Sequence, residues 1–102
     1  MFIHLTEDTY KNSIENTDSG VIICFKKLCP HCKNMEKVLE KFAKMQPEVS
    51  FYSLDSEEDS LATKALGVER VPSILVVKGG NVAAQKAGLM NPKEMKAFYQ
   101  SA

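Results

Sequence analysis

The sequence predicts one α/β domain in which a mixed β-sheet carries helices on both faces, in the element order βαβαβαββα. Three observations predict this class. The run from Val21 to Phe25 is apolar without alternation, which is typical of a strand covered on both faces. From Pro30 the apolar residues follow a helical period instead. Two short apolar runs later in the chain flank Gly79-Gly80-Asn81, a hairpin-type turn, so the last two strands should be antiparallel neighbours.

Length and charge narrow the functional classes. With 102 residues, 44% of them apolar, the chain can close one core of moderate size and no more. Its 13 Lys and Arg residues balance 13 Asp and Glu residues, which gives no basic footprint for nucleic acid. No apolar run approaches the ~20 residues that span a membrane. The N-terminal segment lacks the features of a signal peptide, so we expect the protein in the cytosol, where thiols stay reduced. We also expect a monomer.

The first half of the chain predicts two strands and two helices. A strand is expected over Phe2 to Leu5, followed by a helix that begins at the N-cap Thr6 and reaches Asn16. The apolar run at 21–25 should be a central strand. The next helix, 30–45, should bury one face and expose a lysine-rich one. The predicted buried face carries Met35, Val38, Leu39, Phe42 and Met45.

The second half predicts three strands and two helices. Strands are expected at 49–54, 73–77 and 82–87. The acidic run at 55–59 leads into a helix that ends at Gly67. The last helix should begin with Asn91 as its N-cap and Pro92 in the first turn. Apolar residues of these helices are Leu61, Ala62, Ala65 and Leu66, then Met95, Phe98 and Tyr99.

Two cysteines lie where the apolar strand passes into the long helix, in the sequence Cys29-Pro30-His31-Cys32. Backbone N–H groups and the helix dipole stabilise an anion at such a helix start. With Pro30 at the first helical position and Cys29 at the cap, the Cys29 sulfur should receive these N–H groups, while Cys32 should be more enclosed. We therefore predict Cys29 as the catalytic nucleophile and Cys32 as the resolving thiol.

Positive charge should surround this site. Six lysines and two glutamates lie between residues 26 and 44, and Lys26, Lys27 and Lys33 are close to the cysteines. His31 can donate a hydrogen bond to the Cys29 sulfur or place positive charge near it. Both effects lower the pKa of a thiol below ~8.5, and the thiolate is the attacking species in disulfide exchange. A stabilised thiolate also makes the disulfide easier to reduce.

Other interpretations of these residues remain open. The Cys29–Cys32 pair could be a structural disulfide, although so short a loop removes little chain entropy. A zinc site through Cys29, His31 and Cys32 would lack the usual fourth ligand. Cys24, inside the apolar strand, is predicted to be a small core residue, and His4 an ordinary strand residue. We expect no metal and no cofactor besides the Cys29/Cys32 dithiol.

Two later motifs make the chain similar to a known family. Val71-Pro72-Ser73 begins a predicted strand and resembles the family's Ile-Pro-Thr, and Lys86-Ala87-Gly88 precedes the last helix as its Val-Gly does. Together with the cysteine motif, they make the whole chain resemble a small thioredoxin. The resemblance implies the thioredoxin fold, with Pro72 in the cis form facing the two cysteines and a substrate segment added as an extended strand along Val71.

The resemblance also implies the partners and the substrate-binding residues. The partners would be disulfide-containing proteins and an electron donor similar to a thioredoxin reductase. Pro30 and His31 would belong to the catalytic site with Cys29 and Cys32, and the substrate would bind in an apolar docking groove. It would be lined by Leu28, Val71, Pro72, Ala87 and Gly88.

Three departures from the family pattern stand out. The usual Trp-Cys-Gly-Pro-Cys is replaced by residues 28–32, whose Pro-His interior resembles that of strongly oxidising periplasmic disulfide-forming proteins. The family's buried aspartate is replaced by Ile23 and its accompanying lysine by Phe51, so no carboxylate at these positions takes the proton from Cys32. We expect a reduction potential between about −270 mV, typical of thioredoxin, and about −120 mV.

The sequence thus favours a thiol–disulfide oxidoreductase that reduces or exchanges protein disulfides. A glutaredoxin-like enzyme that uses glutathione is the first alternative, since glutaredoxins commonly carry Cys-Pro-x-Cys. Against it, Gly79-Gly80 lies in the hairpin turn rather than after the antiparallel strands. A binding module with the same fold and little turnover is the second alternative, because fold alone does not determine function.

Overall fold

The computed structural model describes residues 2–102 as a five-stranded mixed sheet with four helices, in the predicted element order. The strands are β1 (Ile3–Leu5), β2 (Ser19–Phe25), β3 (Ser50–Asp55), β4 (Ser73–Lys78) and β5 (Asn81–Ala87). The helices are α1 (Tyr10–Glu15), α2 (Pro30–Met45), α3 (Ser60–Ala65) and α4 (Pro92–Ser101). None of the helices within residues 2–102 has the length and apolar character needed to cross a membrane.

The strand order is β1-β3-β2-β4-β5. The pairs β1/β3 and β3/β2 are parallel, while β4 runs antiparallel to both β2 and β5. The apolar run at 21–25 therefore lies in the middle of the sheet, as its lack of alternation predicts. The β4–β5 hairpin is also confirmed, and its turn residues Gly79 and Gly80 have φ of 59° and 80°. Positive φ at both central positions is the conformation that a two-residue hairpin favours.

Alternate residues of β2 belong to two separate apolar cores. Ile22 and Cys24 contact residues of α1 and α3 on one face of the sheet. Val21 and Ile23 contact residues of α2 and α4 on the other face. Since successive side chains of a strand point to opposite faces, a run that is apolar throughout is buried on both sides. This burial fixes the carboxyl end of β2, from which the cysteine motif follows.

Two predictions about the long helix differ in outcome. The cluster beneath α2 contains Met35, Leu39 and Phe42, as the helical period predicts, and Val38 is half-buried beside it. Met45 was expected on the same face, but 56% of it is exposed. The prediction for Met45 is wrong because the core ends one turn earlier, at Phe42, while the period of the sequence continues.

The first helix is shorter than predicted. It begins at Tyr10 rather than after Thr6, whose carbonyl accepts the N–H groups of Thr9 and Tyr10 in a turn. The intervening Glu7 is held by α3 instead: its N–H donates to the Asp59 carboxylate at 3.0 Å, and its own carboxylate accepts the N–H of Leu61. These tertiary hydrogen bonds replace the predicted first helical turn.

The last two helices follow their sequence signals to different degrees. At α4, the Asn91 side chain accepts the Glu94 N–H and the Glu94 carboxylate accepts the Asn91 N–H, which is a complete capping box. Helix α3 ends before Gly67, whose φ is +78°. Of the apolar residues predicted there, Ala62 is buried, whereas 68% of Leu61 is exposed.

Candidate redox site

The two cysteines of the motif lie at the junction between β2 and α2. Cys29 is the N-cap of α2, with extended backbone, and Pro30 occupies the first turn. The Cys32 N–H donates to the Cys29 sulfur at 3.2 Å. Cys29 and Cys32 form a disulfide, with their Cα atoms 5.2 Å apart. The helix start thus directs a backbone donor at Cys29, which is the environment that stabilises a thiolate.

The two sulfurs differ in access to solvent. Only 1% of Cys32 is exposed, whereas Cys29 is half-buried. A disulfide or thiol on another protein can therefore approach Cys29 but not Cys32.

The loop before β4 lies beside His31 of the cysteine motif. The Val71–Pro72 peptide bond is cis, and the Pro72 carbonyl accepts the Gly88 N–H at 2.8 Å. Ser73 pairs with Ala87 in the β4–β5 ladder, so the two predicted substrate-contacting segments are adjacent. A cavity of about 270 Å³ between them is lined by His31, Val71, Pro72, Gly88 and Leu89.

Apolar side chains stand exposed at the rim of this site. Leu28, which precedes Cys29, is 96% exposed, and it lines a cavity of about 300 Å³ with Cys29, Pro30 and Lys33. Leu89 lines the neighbouring cavity and is 46% exposed. Sequence reasoning missed Leu89, although an apolar residue directly after Gly88 was a usable signal. Exposed apolar groups around a disulfide are typical of a docking surface.

Comparisons with known proteins identify the family of this chain. The family model described as Thioredoxin matches residues 1–101. The chain belongs to the thioredoxin family. "Thioredoxin-2" from Saccharomyces cerevisiae is 30% identical over 93 residues, which cover 90% of this chain and 88% of that protein.

Two further relatives are informative. The solution structure of reduced desulfothioredoxin from Desulfovibrio vulgaris Hildenborough has a TM-score of 0.88 and 42% identity, and covers 98% of this chain and 97% of that one. A "Disulfide bond formation protein" from Brevibacillus choshinensis is 29% identical over 81% of this chain and 72% of that protein. A thioredoxin-family chain with a Cys29–Cys32 pair at disulfide distance is a thiol–disulfide oxidoreductase.

The basic side chains predicted near Cys29 in this thioredoxin-family site donate no hydrogen bond to its sulfur in the described residues. Within residues 2–102, the Cys32 N–H is the sole hydrogen-bond donor to the Cys29 sulfur, so His31 makes no such bond in the disulfide form. The exposed His31 ring lies at the cavity beside Val71 and Pro72. Lys27 faces Glu58 at 3.5 Å. Both routes by which His31 could stabilise a Cys29 thiolate therefore stay predictions for the reduced form.

The interior of the domain supplies no carboxylate at the position where the thioredoxin family has one. Ile23 is fully buried, pairs with Ile74 across the sheet and belongs to the same apolar cluster as Phe51 and Met35. Asp55 is buried at the end of β3, but its carboxylate accepts two backbone N–H groups of the turn that follows.

The third cysteine has a structural environment. Cys24 is fully buried in β2, on the face of the sheet opposite α2, and remains a free thiol. Burial raises the pKa of its thiol to about 12, because the apolar core disfavours the thiolate. Cys24 is thus a core residue, as predicted from its place in the apolar strand.

One group of side chains in the described residues has the composition of a metal site. Ligand atoms of His4, Glu58 and Asp59 lie within 4.8 Å of one another. Each already has a partner: His4 Nδ1 contacts Ser53 Oγ, Glu58 faces Lys27, and Asp59 accepts the Glu7 N–H. These contacts join β1, β3 and α3, which is a structural role.

Proposed function

We propose that this protein exchanges disulfides in partner proteins, with Cys29 as the attacking thiol and Cys32 as the resolving thiol. The observation that supports this assignment is the asymmetry of the pair. Cys29 is accessible and accepts a backbone N–H, whereas only 1% of Cys32 is exposed. The accessible sulfur meets the substrate, and the enclosed one acts only within the protein.

In the reducing direction, the Cys29 thiolate attacks one sulfur of a substrate disulfide. That S–S bond breaks, the first substrate thiolate leaves, and Cys29 carries a mixed disulfide. Cys32 then attacks the Cys29 sulfur and releases the second substrate thiolate. One of the two substrate thiolates takes up a proton as Cys32 loses one. Two electrons pass to the substrate, and the Cys29–Cys32 disulfide remains.

We also propose a reduction potential above the value of about −270 mV that is typical of thioredoxin. The Cys32 N–H directed at Cys29, the His31 ring between the two cysteines of the motif, and Lys33, which lines a cavity with Cys29, would all stabilise the thiolate, and hence the reduced form. The relative named for disulfide bond formation is consistent with this direction. Since ~1.4 kcal/mol of stabilisation equals about 30 mV for two electrons, modest charge effects suffice.

The cellular setting belongs to the same proposal. The protein acts as a monomer in the reducing cytosol, and an electron donor similar to a thioredoxin reductase returns it to the dithiol form. Its substrates are disulfide-containing proteins that dock at Leu28, Val71, Pro72, Ala87 and Gly88.

The test is the reduction potential of the Cys29–Cys32 pair, measured by equilibrating the protein in glutathione buffers and trapping free thiols. A reversible couple clearly above −270 mV supports the proposal. A value at or below about −270 mV would leave an ordinary reductant with His31 as a bystander. The lack of any reversible couple would favour a binding module instead. Turnover that requires glutathione, with no activity from a reductase, would favour the glutaredoxin-like alternative.

A further inference from the structure

We propose that a cationic cavity beside the cis-proline loop binds an acidic side chain of the docked protein substrate. Lys26, Lys64 and Arg70 line this cavity, whose volume is about 490 Å³. The protein would then favour partners that carry Glu or Asp close to the cysteine under attack. This inference rests on the proposed function, because it concerns the substrate of the same redox site.

The cationic cavity and the cavity beside His31 have one lining residue in common, Val71. Val71 lines the cationic cavity on one side, and on the other it lines the groove of His31, Pro72 and Gly88. Val71 lies in the loop just before β4. Within residues 2–102, neither its N–H nor its C=O makes a backbone hydrogen bond. An extended segment can therefore pair with Val71. Because side chains alternate along a strand, one of them points away from the cysteines and can reach this cavity.

Charge determines what the cavity accepts. Glu69 is the single carboxylate among the lining residues, against three cations. Within the described part of the chain, the one salt bridge joins Lys27 and Glu58, so Lys26, Lys64 and Arg70 have no carboxylate within 4.0 Å. Three cations without partners attract an anionic side chain and repel a cationic one.

The three cations come from three parts of the chain. Lys26 follows β2, Lys64 lies in the last turn of α3, and Arg70 lies in the loop before β4. The hydroxyl of Thr63, which also lines the cavity, is already bonded to the Ser60 carbonyl. The Ser56 hydroxyl is likewise bonded to the Phe25 carbonyl. Besides the Ser60 hydroxyl, the side-chain donors left for a ligand are the three charged groups, which suits a carboxylate better than a neutral amide.

The test measures how fast the reduced protein reacts with matched peptide substrates. Each peptide contains one disulfide and carries either Glu or Gln at one of four positions. These are the two residues before the attacked cysteine and the two residues after it. We expect the Glu peptide to react about fivefold faster at one of these positions, as several exposed ion pairs allow. The preference should shrink as salt is raised to about 0.5 M, because exposed charges are screened.

Variants locate the preference. In the double variant Lys64→Gln/Arg70→Gln, which leaves Lys26 against Glu69, the Glu-to-Gln rate ratio should return to about one, and Lys64→Glu/Arg70→Glu, which leaves a net negative lining, should invert it. Lys37→Gln is the matched control, because Lys37 is an exposed lysine of α2 outside the cavity, and it should keep the preference.

The possible results separate this inference from the proposed function. Equal rates for Glu and Gln peptides at all four positions, or a preference that survives in Lys64→Gln/Arg70→Gln, would overturn the inference alone. If no peptide is reduced, the proposed function is wrong and the inference falls with it. A preference for oxidised glutathione over its ester, with none among the peptides, would assign the cavity to a small carboxylate and overturn its assignment to a protein segment.

Discussion

Cys24 and Cys29 are five residues apart and have opposite environments. Cys24 lies in the central strand, fully buried among apolar side chains, and burial raises the pKa of its thiol to about 12. Cys29 lies at the cap of α2, half-buried, and accepts the Cys32 N–H. The two residues carry the same thiol, so we expect their places in the fold to decide which of them reacts.

The physical difference is the fate of a negative charge. In the core, a thiolate at Cys24 would lose its hydration and gain no donor in return. At the start of a helix, the first backbone N–H groups have no partners within the helix, and one of them, that of Cys32, donates to the sulfur of Cys29. The strand environment thus disfavours a thiolate and the start of the helix stabilises one, although the two cysteines are only five residues apart.

The largest expected effect comes from removing the Cys29 sulfur. Cys29→Ser should abolish reduction of a protein disulfide, because no other accessible thiol can attack it. Cys24→Ala should retain turnover and lose only the stability that a small buried side chain contributes, about 1 kcal/mol. The measurement is the initial rate of disulfide reduction for each variant, together with thermal unfolding. Substantial turnover by Cys29→Ser would contradict the assignment of the nucleophile.

A second variant sharpens that assignment. In Cys32→Ser, the mixed disulfide between Cys29 and the substrate cannot be resolved within the protein, so it should accumulate. Mass spectrometry of the trapped adduct identifies the cysteine that carries the substrate. An adduct at Cys24 would break the comparison between the two cysteines.

Alkylation tests the same contrast without substitution. In the reduced native protein at pH 7, a thiol with a pKa of about 12 is thiolate in about one molecule in 10⁵. Cys29 should therefore be alkylated rapidly, while Cys24 should react only after unfolding in denaturant. Peptide mapping after a short exposure to iodoacetamide measures both rates. Equal labelling of the two cysteines in the folded protein would show that Cys24 is not held in the core.

The features that sequence predicted are those fixed by local chemistry. The apolar run that ends at Phe25 implies burial on both faces, and Pro30 beside Cys29 implies the start of a helix. Asn91 and Glu94 likewise define their own cap. Each of these signals needs only neighbouring residues, so the fold and the redox pair were both accessible from sequence.

The features that sequence missed depend on contacts between distant residues. The turn before α1 is set by Glu7, which is bound to residues more than 50 positions away. The exposure of Met45 depends on where the apolar core beneath α2 ends. The cationic cavity joins Lys26 to residues 64 and 70. No local pattern carries this information, because it arises only when the elements pack together.

A smaller effect is expected at His31, which separates the charge of the site from its backbone geometry. His31→Gly should raise the pKa of the Cys29 thiol by about one unit and make the reduction potential more negative by about 30 mV. The sign follows because a less stable thiolate destabilises the reduced form. Glutathione equilibration and the pH dependence of alkylation measure the two quantities. No change in either would leave the α2 start as the source of thiolate stabilisation.

The smallest effect concerns Glu36, a half-buried carboxyl of α2 where partial burial, with repulsion from Glu40, raises the pKa above its usual range. A raised pKa means that folding disfavours the ionised form. The penalty is therefore present at neutral pH and disappears as the carboxyl is protonated in acid. Glu36→Gln should stabilise the protein at pH 7 by less than about 0.5 kcal/mol, and the gain should vanish near pH 3. Thermal unfolding at both pH values measures this, with the exposed Glu48→Gln as control. A gain in stability that persists in acid would show that the amide acts by packing. Partial burial would then not disfavour the charged form of Glu36 in the way that full burial disfavours the thiolate of Cys24.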